Sequence, residues 1–263
     1  MADLGVNLDD LGLETKSAIS RAQAMHYDVV ELGAVAGDVA AWNLPRSGRR
    51  HLLRHVENHG MRVASLTSDI PGTRWTDPAT AEERADRTIQ VVDMATDMDV
   101  RDVTVALGLV KHPETGTLSE VALEALSRVA EVAASRGRDI CLRPSYGGLS
   151  QMLDVIREIN VPSLKMCFDP AALVMTGNNP LADPATWIER VRLLHARDGM
   201  AGNSEQSGYE CRLGDGEVDF RGIVSLMKEA EFRGAFIARR HESQDPDREL
   251  AAARDWLDSL IND

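Results

Sequence analysis

No apolar run in the chain approaches the roughly 20 residues needed to cross a bilayer, which argues against a helical membrane protein. The start, Met1-Ala2-Asp3-Leu4, lacks a basic region followed by an apolar stretch, so no secretory leader is expected and a cytoplasmic location follows. Cysteine is scarce. Cys141, Cys167 and Cys211 are unevenly placed, form no CxxC pair and are expected as reduced thiols rather than a disulfide framework. Positive charge is also in short supply: 29 basic residues face 42 acidic ones, giving a net charge of -13 that repels phosphodiester backbones. No nucleic-acid partner and no membrane partner are therefore expected. No linker or low-complexity segment interrupts the chain, and 263 residues with 43% hydrophobic content fit one α/β domain over residues 1–263.

What is present is an alternation. Short apolar runs recur at Leu4-Gly5-Val6, Val29-Val30-Glu31-Leu32, Val63-Ala64-Ser65-Leu66 and Val103-Thr104-Val105-Ala106-Leu107. They continue at Ile140-Cys141-Leu142, Lys165-Met166-Cys167-Phe168, Leu193-Leu194-His195 and Ala235-Phe236-Ile237-Ala238. Between them lie helical patterns such as Ala122, Leu126, Val129 and Ala133, whose spacing puts the apolar side chains on one face. Asp77-Pro78, Asp183-Pro184 and Asp245-Pro246 each read as a helix start, a capping carboxylate followed by a proline that needs no N–H partner. Gly60 and Gly137 are expected as left-handed C-terminal caps. Eight strand and helix signals over this length predict a (β/α)8 TIM barrel, with a doubly wound open sheet as the rival.

In such a barrel the active site lies at the carboxyl ends of the strands. The polar residues ending apolar runs are Glu31, Arg143, Asp169, His195 with Arg197 and Asp198, and Arg239 with His241. At these positions the chain resembles the xylose-isomerase-like sugar phosphate isomerases and epimerases. The likeness is carried in order by Tyr27-Asp28-Val29-Val30-Glu31-Leu32, Phe168-Asp169-Pro170, His195-Ala196-Arg197-Asp198 and Leu213-Gly214-Asp215-Gly216-Glu217-Val218-Asp219. The resemblance implies a site for one divalent metal (Mn, Mg or Zn), held by a glutamate ending the fifth strand, an aspartate on the sixth, a histidine on the seventh and a glutamate on the eighth. Asp169 and His195 match two of these positions. Arg143 and Arg239 stand at the two glutamate positions, and Asp169-Pro170-Ala171-Ala172 lacks the histidine of the family's Asp-x-x-His.

Two unit charges about 5 Å apart repel by about 3 kcal/mol at an effective dielectric near 20, so a dication beside both guanidiniums is strongly opposed. No cofactor is therefore predicted, and a metal is implied by the resemblance alone. Arginine cannot replace the glutamates as a proton shuttle either. A base would have to come from His195, Asp169, Asp198, Glu31 or His241. Two readings of the arginines stand side by side. In one, Arg143, Arg197 and Arg239 clamp the anionic group of a sugar acid or sugar phosphate, with Asp198 and His241 among the substrate-binding groups. In the other, Arg143 and Arg239 pair with Asp169 and Glu31 and fill a vacated metal site.

Other features have blander explanations. His51, His55 and His59 read as a solvated helix face, and Cys141 and Cys167 as small fillers of the barrel interior, though a reactive thiol beside Arg143 is the alternative. Asp198 reads as a neighbour orienting Arg197 or His195. Gly214-Asp215-Gly216 reads as a loop, and Trp42 and Trp75 either stack on a sugar ring or cover the barrel mouth. The leading functional expectation is isomerisation or epimerisation of a small, anionic carbohydrate by proton transfer next to a carbonyl, catalysed through His195, Asp169 and Glu31. A lyase or dehydratase would use the same step. The alternative is a non-catalytic descendant that binds a sugar acid or a protein partner. An endonuclease IV-like enzyme of the same broad fold group needs three zinc ions, for which too few ligands end the strands. A homo-oligomer is left open.

Overall fold

All eight apolar runs form strands in the computed structural model, which describes residues 2–112, 114–144 and 148–262. They are β1 (Asp3–Asn7), β2 (Val29–Gly33), β3 (Arg62–Thr67), β4 (Asp102–Ala106), β5 (Asp139–Arg143), β6 (Leu164–Phe168), β7 (Val191–Ala196) and β10 (Ala235–Ala238). Two three-residue strands, β8 (Asp198–Met200) and β9 (Tyr209–Cys211), form a separate antiparallel ribbon after β7. Each barrel strand pairs in parallel with its neighbours, and β1 closes on β10 from Asp3 opposite Ala235 to Val6 opposite Ala238. That last pairing rules out the open sheet, which would leave two edges.

The outer ring comprises α1 (Thr15–Ala24), α2 (Arg46–Asn58), α3 (Ala81–Asp97), α4 (Glu120–Ser135), α5 (Gly148–Ile159), α6 (Pro170–Met175), α7 (Phe220–Glu229) and α8 (Pro246–Asn262). The periodic stripe on α4 is buried at Ala122, Leu126, Val129 and Ala133. Gly60 and Gly137 have φ of 75° and 66°, the left-handed geometry that ends a helix without a Cβ penalty. Of the three Asp-Pro starts, only Asp245-Pro246 opens an α-helix directly, with Asp245 accepting from the Arg248 amide at 3.3 Å. Asp77-Pro78 instead forms a turn that delivers the chain to Thr80, and Asp183-Pro184 opens a three-residue 3-10 turn without a side-chain cap. Their carboxylates are satisfied locally or by solvent, so the dipeptide marks a turn as readily as a helix start.

Alternation along the strands fills the barrel in layers. At the amino ends, Arg101 and Arg192 pair with Asp139 and Asp102. Above them Val29, Cys141, Cys167, Leu193, Ala235 and Ile237 form a compact apolar cluster of their own. Both cysteines are fully buried, and burial pushes their thiols well above the ordinary range, as suits fillers rather than nucleophiles. The next layer, towards the carboxyl ends, is polar, and the candidate site starts there.

Candidate active site

Glu31 is the hub of this polar layer. One carboxylate oxygen accepts from Ser65 at 2.8 Å, Thr104 at 3.2 Å and His195 Nε2 at 3.2 Å. The other accepts from Asn7 at 2.8 Å and Arg239 Nη1 at 3.1 Å. Five other strands or strand ends thus converge on one fully buried side chain. Burial opposes its charge, yet His195, Arg239 and the hydrogen bonds from His195 and Asn7 outweigh burial and hold the carboxyl well below its ordinary range.

That ionised carboxylate fixes the state of His195. Burial lowers the imidazole's pKa and only part of this is offset by Glu31, so the ring is neutral near pH 7. A neutral ring facing a carboxylate must donate from Nε2, which leaves Nδ1 as the bare acceptor nitrogen. Among the described residues Nδ1 is buried and has no partner.

Each guanidinium at the strand ends faces carboxylates. Arg239 grips Asp10 through Nε at 2.7 Å and Nη2 at 3.2 Å as well as Glu31, and these acids raise its pKa against the effect of burial. Arg197 donates to Asp169 at 2.9 Å and to Glu210 at 3.0 Å. Arg143 pairs through Nη2 with Asp69, whose other oxygen accepts from the Ala106 amide at 2.9 Å. Its Nη1 is buried and unpartnered among the described residues. The expected pairing of Arg143 with Asp169 is therefore corrected: Asp169 belongs to Arg197, and only the Arg239–Glu31 pair forms as anticipated. The clamp reading likewise meets an obstacle, because carboxylates already occupy most of the guanidinium donors.

Asp169 also caps α6, accepting from the Ala172 amide at 3.0 Å. Burial raises its pKa, but Arg197, His195 and Arg143 prevail and bring it down to about 2. Asp198 does not orient Arg197 or His195. It accepts four amides, from Gly199 and Val218 on one oxygen and from Gly214 and Gly216 on the other, at 2.9–3.1 Å. It therefore holds the 214–218 loop, and a Cβ at Gly216 would stand 2.1 Å from its Oδ1. His241 accepts on Nε2 from Arg239 at 2.8 Å, since a guanidinium can only donate. Burial, Arg239 and Arg197 lower its pKa to about 3, so Nδ1 carries the single proton of a neutral ring.

Above this layer lies a cavity of about 710 Å3 whose walls include Arg143, Asp169, Arg197, Tyr209, Glu210 and His241. Glu31, His195 and Arg239 lie outside its lining. The tryptophans do not offer sugar-stacking faces. Trp75 is buried, donates to the Ala106 carbonyl at 3.1 Å and carries the Arg84 guanidinium on its ring, while Arg87 covers Trp42 at 4.2 Å. Asp10, Asp69 and Glu210 are partners that the strand-end reading omitted. Asp69 follows Leu66-Thr67-Ser68 at the end of β3 and was accessible to that rule. Glu210 sits in the β8–β9 ribbon, which carries no periodic signal.

The donor set does not suit the divalent ion of the resemblance. Arg143 and Arg239 stand where the resemblance implies two ligands, Asp169 spends its oxygens on Arg197 and the α6 amide, and His195 Nε2 is committed to Glu31. Among the described residues no group of three or more His, Cys, Asp or Glu side chains is arranged to hold a metal ion. No helix there is long and apolar enough to cross a membrane.

A closed parallel barrel with a cavity over its carboxyl-end layer defines the class as a (β/α)8 TIM barrel. Residues 19–260 match the profile of the Xylose isomerase-like TIM barrel family, and the chain belongs to that family. A crystallised xylose isomerase domain protein from Planctomyces limnophilus is similar over 98% of this chain and 97% of that one, with 22% identity and a TM-score of 0.84. The D-allulose 3-epimerase from Methylomonas sp., solved in complex with D-allulose, is similar over 98% and 97% of the two chains, with 18% identity and a TM-score of 0.77. In sequence, a putative L-ribulose-5-phosphate 3-epimerase of Escherichia coli is 26% identical over 99 residues, a match covering 36% of this chain and 35% of that protein.

Proposed function

We propose that the protein is a sugar isomerase or epimerase that moves a proton next to the carbonyl of a small, anionic carbohydrate, without the divalent metal of its family. The observation that carries this reading is the fully buried Glu31–His195 pair, in which the carboxylate fixes the tautomer and leaves Nδ1 bare beneath the barrel mouth. A carboxylate-oriented, neutral imidazole is a competent general base near pH 7, whereas Asp169, with a pKa of about 2, is a weak one. His195 lies below the cavity walls, so the proton reaches Nδ1 through a substrate hydroxyl or a water seated there. The Nη1 of Arg143 and the Nδ1–H of His241 supply donors for the oxygen that gains charge as the proton leaves. Asp169 holds Arg197 in the pocket wall, and Arg239 stays bound to Asp10 and Glu31 beneath it.

The extent of that ion pairing favours a second reading, a sugar-acid-binding or protein-interaction descendant in which the arginines serve as cross-links. Incubation of the protein with sugar acids and sugar phosphates in D2O separates the two. Deuterium entering the carbon next to the carbonyl, and failing to enter with His195→Ala, supports the enzyme. Saturable binding with no exchange supports the descendant.

A further inference from the structure

A second cavity of about 950 Å3 lies beside the barrel mouth, between the β3–α3 and β4–α4 connections and the first turn of α5. The chain carries a net charge of -13, yet no acidic side chain lines this cleft among the described residues, whereas Arg74, Arg84, Lys111 and His112 do. Arg84 is the most telling of them. It is 7% exposed, lies against Trp75 at 4.5 Å and donates to two carbonyls, Thr73 at 2.9 Å and Ala106 at 2.8 Å. Its Nε has no partner, and no carboxylate pairs with it among the described residues. Lys111 reaches Asp154 at 2.6 Å, but Arg157 shares that acid at 3.1 Å, so two cations divide one counter-charge.

The cleft is also firmly built. Buried Gln151 accepts from the amides of Val110 and Lys111 at 3.1 Å and donates to the Gly108 carbonyl at 3.0 Å, fixing the loop that carries Lys111. Ala106, whose carbonyl anchors Arg84 and Trp75 of this cleft, itself lines the barrel-mouth cavity. Asp69 acts on Arg84 only at longer range and is already paired with Arg143, so Arg84 is a buried cation with no acid of its own, a state that an anion in the cleft would complete.

We propose that this cleft is an oxyanion subsite, in which Arg84, Arg74, Lys111 and His112 hold the phosphate or carboxylate of a ligand whose remainder lies over the barrel mouth. It rests on the reading of the ligand as an anionic carbohydrate, but the anion alone probes it without turnover. Isothermal titration of the full chain with inorganic phosphate, and separately with gluconate, should give saturable binding of at least one, with phosphate alone indicating a phosphate ester and gluconate alone a sugar acid. Arg74→Ser, at an exposed position, and Arg84→Met, which keeps the packing on Trp75, should each weaken it by about tenfold. His195→Ala should leave it unchanged, so loss of exchange and loss of anion binding are read separately. Should Arg84→Met fail to fold, Arg74→Ser and Lys111→Met carry the test. The proposal is overturned by no saturable binding of either anion, or by binding that survives the cleft variants and disappears in Arg143→Met.

Discussion

Glu31 and His195 are each fully buried, and each determines what the other can do. With Glu31→Gln, His195 loses the acceptor that sets its tautomer and Arg239 loses one of its two acids. Breaking a buried pair in this way should cost about 3 kcal/mol, read as a lower urea midpoint with an unchanged slope. With His195→Ala the proton-exchange rate should fall at least ~100-fold, while the far-UV spectrum stays that of the parent. The pH dependence has a definite sign. Asp169 is depressed to about 2 in the folded chain, so its stabilisation is complete above the ordinary carboxylate value and is lost as pH falls towards 2. The neutral His195 is also depressed, so protons favour the unfolded chain as pH drops below about 6.5. Thermal midpoints should therefore begin to fall below about pH 6.5 and drop again below about pH 4; His241, depressed to about 3, contributes to the upper step as well, so His195→Ala should shrink that step without abolishing it.

At the scale of elements, the strand-end rule selects Glu31, Asp169, His195 and the three arginines because apolar runs with a polar last residue are legible in one dimension. The partners of those residues were not. Asp10 lies in the turn after β1 and Glu210 in a ribbon inserted after β7, and neither position carries a periodic signal. Pairing is a matter of barrel geometry, and one of the two readings of the arginines therefore sets Arg143 against Asp169, whereas its partner is Asp69, the acid just after β3. Asp198 shows the same limit. Its place in a His-x-Arg-Asp segment suggested a role at the site, whereas its four amide contacts make it the clasp of the 214–218 loop. Asp198→Ala should speed hydrogen exchange at the amides of Gly214, Gly216 and Val218 and lower stability by about 2 kcal/mol, with little change in the rest of the barrel.

For the whole molecule, the eightfold alternation was readable because each parallel strand needs a crossover helix, and closure followed from count and spacing. What the chain does with the barrel depends on charge placement. The amino-end layer is cross-linked by Arg101, Arg192, Asp102 and Asp139, the middle is apolar, and the carboxyl-end layer is cross-linked by Arg197 and Arg239, guanidiniums that in the proposed function exchange for an external cation. Manganese titration followed by electron paramagnetic resonance tests that exchange most directly. The account predicts that Mn2+ stays in its free form at equimolar protein and gains no stoichiometric site. One tightly bound Mn2+ per chain, released by Asp169→Asn or His195→Ala, would contradict it.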